Sequence, residues 1–209
     1  MGNALENDAT MGIVLVSWLN DEAFWRTQLK RIATLDMDRS ELRSRFISVD
    51  RLGESLDGLA RSAGAELADI QSRVTDALQR CEASKALLVL DGIDTLLATQ
   101  PDMDALQLSN LLLRLRTLSK IHSTVLTTMA DLSRSSERQI TPLELNNVVF
   151  LSQQAHMAHS IISTRELDTG SARDVSGIIR ITSGGQGASL KELEKRYLVQ
   201  RDGSVKIVE

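Results

Sequence analysis

One short stretch constrains this chain more than any other: Ala86-Leu87-Leu88-Val89-Leu90-Asp91, followed by Gly92, Ile93 and Asp94. The apolar run is too short for a helix and ends abruptly on a carboxylate and a glycine. Such a run reads as a strand buried on both faces, in the middle of a parallel sheet covered by helices. Nucleotide-binding α/β proteins place a magnesium-directing Asp at the carboxyl end of a strand of this kind. Asp also begins turns wherever strands end, and on this stretch alone a turn-forming role for Asp91 is the preferred reading.

The flanking sequence repeats the alternation. Gly12–Ser17 is a second strand of buried type, rich in β-branched residues. Asn20 can cap the helix after it, with Asp21 and Glu22 in the first turn and Trp25, Leu29 and Ile32 on one face. Arg45–Asp50 is a third, short strand. The glycine-containing segment Arg51–Gly64 is a loop, and Ala65–Ala83 a helix with Leu67, Ile70, Val74, Ala77, Leu78 and Cys81 along one face. Asp104 with Gln107 three positions on opens a further helix, whose seam is Leu108, Leu111, Leu112, Leu115 and Leu118. Arg114, Arg116 and Lys120 lie elsewhere on that helix, as a solvated face or a subunit contact. Ser123–Met129 is a fourth strand. This order implies a mostly parallel sheet with helices on both faces.

The C-terminal part changes character. A short helix over Pro142–Gln154 and a strand over Ser160–Leu167 precede three segments that alternate in period two: Gly177–Thr182, Glu194–Gln200 and Ser204–Val208. Arg201-Asp202-Gly203 between the last two signals a hairpin. The expected organisation is therefore a flexible leader over 1–11 and a single α/β domain over 12–209, ending in an antiparallel extension.

Composition narrows the function. In a chain of 209 residues, 42% hydrophobic content supports one substantial core, and aromatics at 3% leave few platforms for stacking bases. A net charge of −4 gives no general attraction to polyanions, so nucleic-acid binding needs a local basic patch or a partner. The single cysteine, Cys81, excludes an intramolecular disulfide and reads as a small core residue in a reducing compartment. No apolar run has the length of a membrane span, so no membrane association is expected.

Candidate chemistry is sparse. Gly53 and Gly58 have P-loop spacing, but Leu59 and Ala60 stand where Lys and Ser/Thr are needed, and Glu54 and Asp57 would repel phosphate. His156 and His159 lack a nearby Cys, Asp or Glu at ligand spacing, so no metal site is expected. A nucleophile elbow and a dinucleotide fingerprint are both missing from the sequence. Arg134 and Arg138 sit in a polar loop, Asp131–Thr141, that leaves the carboxyl end of a strand, the edge where α/β sheets bind ligands. A solvated loop and a functional loop are both open readings.

A family resemblance enters at the tail. Ala172-Arg173-Asp174-Val175-Ser176-Gly177 and Ile178-Ile179-Arg180-Ile181-Thr182-Ser183-Gly184-Gly185 resemble the sixth subunit of the eukaryotic Elongator complex. Tyr197-Leu198-Val199-Gln200-Arg201-Asp202-Gly203-Ser204-Val205-Lys206-Ile207 looks like that family's terminal hairpin. Gly12–Ser17, with Phe24 and Trp25 in the next helix, is similar to its second strand–helix unit. The resemblance implies a RecA-like fold. It also implies a ring of six such domains, from the fourth, fifth and sixth subunits, that binds tRNA, hydrolyses ATP as an assembly and supports wobble-uridine modification by the remainder of the complex. A cytoplasmic location, with the nucleus as a second compartment, comes with the same name.

Two departures from the family shape the expectation. Members carry a strand–helix unit ahead of the one at Gly12, at the P-loop position. Here only a polar leader precedes it, so that unit is absent, shortened or lies outside this sequence; the sheet is expected to lack that strand, with a partner or a rearranged edge covering the gap. The chain also stops at Glu209, where the family hairpin usually runs on. Phosphoryl transfer needs a glycine-rich cradle, a Lys, a hydroxyl on magnesium and a carboxylate. The sequence offers only the last, Asp91, as a degenerate Walker B-like residue. The expectation is a noncatalytic subunit with no cofactor, whose tRNA contacts are Arg134 and Arg138 in a pore-facing loop. Arg173 and Arg180 are expected to have structural or interface roles. The alternative is a RecA-like ATPase or recombinase relative whose nucleotide site is shared with a neighbouring subunit.

Overall fold

The computed structural model describes residues 1–33, 35, 37, 39–52, 61–130, 141–167, 174–187, 191–201 and 203–208, with the side chains of 2 and 3 left aside. The chain divides into two compact units, Met1–Leu151 and Ser152–Glu209, where the sequence suggested a single domain over 12–209. The reason lies in strand pairing: each unit holds a four-stranded sheet whose ladder closes on its own members.

In the first unit, β1 (Met11–Ser17), β2 (Phe46–Asp50), β3 (Lys85–Asp91) and β4 (Ile121–Thr127) are all parallel, in the order β2-β1-β3-β4. Two-residue periodicity divides the central strands between two cores. Val14 and Val16 of β1, with Leu88 and Leu90 of β3, pack under α4 (Ala63–Arg80) and α6 (Ala105–Arg116). Ile13 and Leu15, with Val89, pack on the opposite face with Leu5 of α1 (Gly2–Asn7), Leu29 of α2 (Glu22–Ala33) and Leu42 of α3 (Ser40–Arg43). This double cover is why β1 and β3 read as unbroken apolar runs. Burying each of these side chains favours folding by about 1.5–3 kcal/mol.

The helix ends follow local chemistry. Ser62 accepts a hydrogen bond from Ala65 N–H to open α4, and Asp104 and Gln107 form a reciprocal capping box on α6. Thr141 and Glu144 do the same for α7 (Pro142–Met157), which runs three residues past the expected end at Gln154. Lys120 departs from the solvated role: its Nζ donates to the carbonyls of Leu78 (2.9 Å) and Cys81 at the end of α4, where a cation meets the negative pole of the helix. Of its companions, Arg114 is exposed and Arg116 half-buried, its guanidinium pKa pulled down by burial.

The leader expected to be flexible over 1–11 is structured instead. Leu5 is buried, and the Arg45 guanidinium donates to the carbonyls of Leu5, Asp8 and Met11, tying the end of α1 to the start of β1. One apolar assignment also fails: Ile32 of α2 is exposed, while Leu29 is buried. Cys81 lies just past α4 rather than within it, and is fully buried as expected of a core residue.

In the second unit, β5 (Ser160–Arg165), β6 (Gly177–Ser183), β7 (Leu193–Val199) and β8 (Val205–Val208) form an antiparallel meander. The hairpin expected from Arg201-Asp202-Gly203 joins β7 to β8, closed by Gln200 N–H on the Ser204 carbonyl at 2.8 Å. No described helix is long and apolar enough to cross a membrane.

Candidate functional site at the carboxyl edge of the parallel sheet

The chain leaves β1 toward β2 on one side and β3 toward β4 on the other. The topology therefore switches between β1 and β3, and the crevice outside their carboxyl ends is the favoured ligand position in such sheets. Register brings Ser17 of β1, Asp91 of β3 and Thr127 of β4 into one row there. Paired residues of parallel strands project to the same face, and these three meet.

Asp91 is the centre of the row and is buried. Thr127 Oγ1 donates to Asp91 Oδ1 at 2.7 Å, and Ser17 Oγ donates to Oδ2 at 2.8 Å. Asn20 Nδ2 adds a longer contact to Oδ2 at 3.4 Å. Both hydroxyls also accept backbone donors: Ser17 Oγ takes Asn20 N–H at 3.0 Å, and Thr127 Oγ1 takes Gly92 N–H at 3.1 Å. The result is a closed clamp joining three strand ends, in which each carboxylate oxygen already has a protein donor. Asn20, read from sequence as the cap of α2, points to this clamp instead. Asp21 takes the cap position, accepting Phe24 N–H at 2.7 Å.

Gly92 makes the turn after Asp91 possible. Its φ is 75°, in the left-handed region, and an added Cβ would stand 2.4 Å from Leu19 Cγ. The turn returns Asp94 to the same edge, just before α5 (Thr95–Thr99). Asp94 Oδ2 accepts Met129 N–H at 3.1 Å, whereas its buried Oδ1 has no partner among the described residues. Burial pushes the Asp94 carboxyl above its ordinary pKa and the charge of Asp91 adds to this, while the Met129 N–H works against both. The two carboxylates thus have opposite surroundings: Asp91 is richly donated to, and Asp94 is half-satisfied.

A second charged group lies beyond β2. The buried Arg51 guanidinium pairs with buried Glu66 of α4, and its Nη1 lies 2.6 Å from Asp69 Oδ2. Asp69 also meets Arg73 at 3.0 Å and Arg61 at 3.6 Å. Burial works to raise the Asp69 carboxyl, but hydrogen bonds from Arg51 and Arg73 outweigh it and hold the pKa below the ordinary value. These pairs fix the start of α4 against the end of β2. Sequence reading missed this group because its members are spread from position 51 to 73 without a motif.

Of the residues singled out from sequence, Asp91 is placed at the sheet edge as the row's centre. Arg134, Arg138, Arg173 and the glycine pair Gly53 and Gly58 lie outside the described residues. Arg180 is exposed within β6, where it pairs with Glu192 at 2.8 Å. His156 and His159 are exposed, and among the described residues no group of three or more His, Cys, Asp or Glu is placed to hold a metal ion.

No family model and no curated protein matches the chain. Among solved structures it is similar to a KaiC-like protein from the hyperthermophilic archaeon Pyrococcus horikoshii, with a TM-score of 0.56 and 11% identity over 99% of this chain and 80% of that one. With its parallel sheet flanked by helices and its antiparallel companion sheet, the chain has a RecA-like fold.

Proposed function

We propose that the chain is a noncatalytic RecA-like subunit of the Elongator accessory ring, assembling with the fourth and fifth subunits to bind tRNA and support wobble-uridine modification. The observation that carries the noncatalytic reading is the closed hydrogen bonding of Asp91. A carboxylate that directs magnesium works through a free oxygen turned to the ion's water shell. Here both oxygens accept hydroxyl donors from Thr127 and Ser17, which supports reading Asp91 as a strap between strand ends rather than a magnesium-directing group. The segments that resemble the family's tail form β6 and the β7–β8 hairpin, which supports the subunit assignment.

Co-expression with the fourth and fifth subunits, followed by sizing, tests the assignment. A discrete hetero-hexamer is expected, and a chain that migrates apart from both partners would overturn it. Fluorescent ATP titrated into the isolated chain should find no tight magnesium-dependent site. Tight binding would favour the alternative, a RecA-like ATPase or recombinase relative that completes a shared nucleotide site. Within an intact ring, Asp91→Asn should leave ATP turnover unchanged. Replacing Arg134 and Arg138 together with alanine should weaken tRNA binding most at low salt, as lost phosphate contacts do.

A further inference from the structure

We propose that the chain forms a twofold dimer in which the free edge of β2 pairs antiparallel with β2 of a second copy. β2 ends the parallel sheet, with β1 as its one neighbour. Backbone groups along a strand point alternately to one side and the other. Arg45 C=O accepts Ile13 N–H at 2.7 Å and Arg51 N–H donates to Ser17 C=O at 2.9 Å, so Arg45, Ile47, Val49 and Arg51 face β1. Phe46, Ser48 and Asp50 therefore turn their N–H and C=O groups away from it, and none of these groups has a partner among the described residues. The β1–β2 register runs without a break, whereas a shift interrupts the β3–β4 ladder at the other end of the sheet. A regular free edge of this kind is a template for another strand.

The occupant follows from the self-complementarity of this edge. An antiparallel twofold centred on Ser48 sets Ser48 against the second copy's Ser48 and Phe46 against its Asp50, so all three outward residues find partners at once. The flanking helix repeats the symmetry. Beside β2 lies an open groove of about 420 Å³, lined by Ser48, Val49 and Asp50 and, from α4, by Arg73, Asp76 and Arg80. Asp76 and Arg80 are exposed one helical turn apart, and neither has a hydrogen-bond or ion-pair partner among the described residues. A twofold through their midpoint puts each Asp76 against the other copy's Arg80. The same groove holds Ser48 and both charged residues, so one axis serves strand and helix. α4 packs over both β1 and β2, and its mate would stand about two strand spacings, roughly 10 Å, away, the distance at which helices pack. A partner must offer a cation and an anion in reverse order to match this pair, and a second copy does so by symmetry.

This inference goes beyond the ring assignment and is tested on the full chain alone, so either can fail without the other. In sedimentation equilibrium the chain should pass from monomer to dimer as its concentration rises from about 1 to about 100 µM, the behaviour of a micromolar Kd. Asp76→Arg and Arg80→Asp should each weaken the dimer about tenfold, because like charges then face each other. Mixing the two variants should restore it as a heterodimer, since every pair across the axis is then opposite in sign. Ser48→Pro should leave a folded monomer, because the N–H it removes faces away from β1. Should that variant fail to fold, the two charge variants decide, since both positions are exposed. A chain that stays monomeric at about 100 µM, charge variants that dimerise as well as the parent, or a mixture no tighter than either variant would each overturn the proposal. So would a folded Ser48→Pro chain that still dimerises.

Discussion

The two sheets of this protein solve the same problem in opposite ways. The parallel sheet is covered on both faces by helices from its own unit, so the residues of β1 and β3 alternate between two cores and nearly all are buried. The antiparallel sheet carries apolar and charged residues on both faces, and leaves Ile162, Val205 and Ile207 largely exposed. Local alternation is therefore enough to build a strand, but whether a face is covered depends on what lies beyond that strand. In the first unit the cover is encoded in cis. The second leaves several apolar side chains, Ile162, Val205 and Ile207 among them, exposed.

Mutations can break or sharpen this contrast. The largest effect is expected at the ion pair that fastens α4 to β2. Arg51→Ala should destabilise the chain by about 3–5 kcal/mol in urea denaturation, because Glu66 would be left as a buried, uncompensated charge. Leu88→Ala in the core should cost about 2–5 kcal/mol through lost burial and a cavity. A loss below 1 kcal/mol would mean the parallel sheet is not the stable body inferred here. Asp91→Ala should cost about 1–3 kcal/mol, the range for leaving the Ser17 and Thr127 hydroxyls without their acceptor.

Asp94 gives a smaller, pH-dependent effect. Its folded pKa is raised, so the native state holds this proton over a window just above the ordinary carboxylate range where the unfolded chain has released it. Stability must then fall as pH rises through that window. Asp94→Asn should stabilise the chain at neutral pH, and the difference should vanish below about pH 4, where both states are protonated. Equal stabilities at neutral pH would show that the carboxyl is not strained. The smallest effect is expected on the open sheet: Ile162→Ala should change stability by no more than about 0.5 kcal/mol. A loss comparable to that of Leu88→Ala would show that the face is covered after all.

Much of the fold was readable because its signals are local. The apolar run before Asp91, the Asp104–Gln107 capping box and the leucine seam of α6 each need only a few neighbouring residues, and each formed where expected. The hairpin at the tail is of the same kind. Local chemistry offers Asn20 and Asp21 as equal caps for α2, however, and the choice is made by Asp91, 71 positions away, which attracts Asn20. Lys120 reads as a solvated cation until the end of α4 is brought beside it. The clamp is illegible for the same reason: Ser17, Asp91 and Thr127 become neighbours only through the register of three strands. In the leader, polar composition concealed one buried leucine and an arginine that ties down its carbonyls.

At the opposite edge of the parallel sheet, the chain's one thiol is sealed in. Cys81 Sγ lies 3.8 Å from the Arg45 carbonyl, and even a methyl group on Gly12 would come within 2.4 Å of it. A thiol-reactive dye can reach that sulfur only when β1 parts from the segment after α4, so its rate of attachment would act as a stopwatch for opening of the first unit. Once attached, the dye would wedge the strands apart and make a momentary breach permanent.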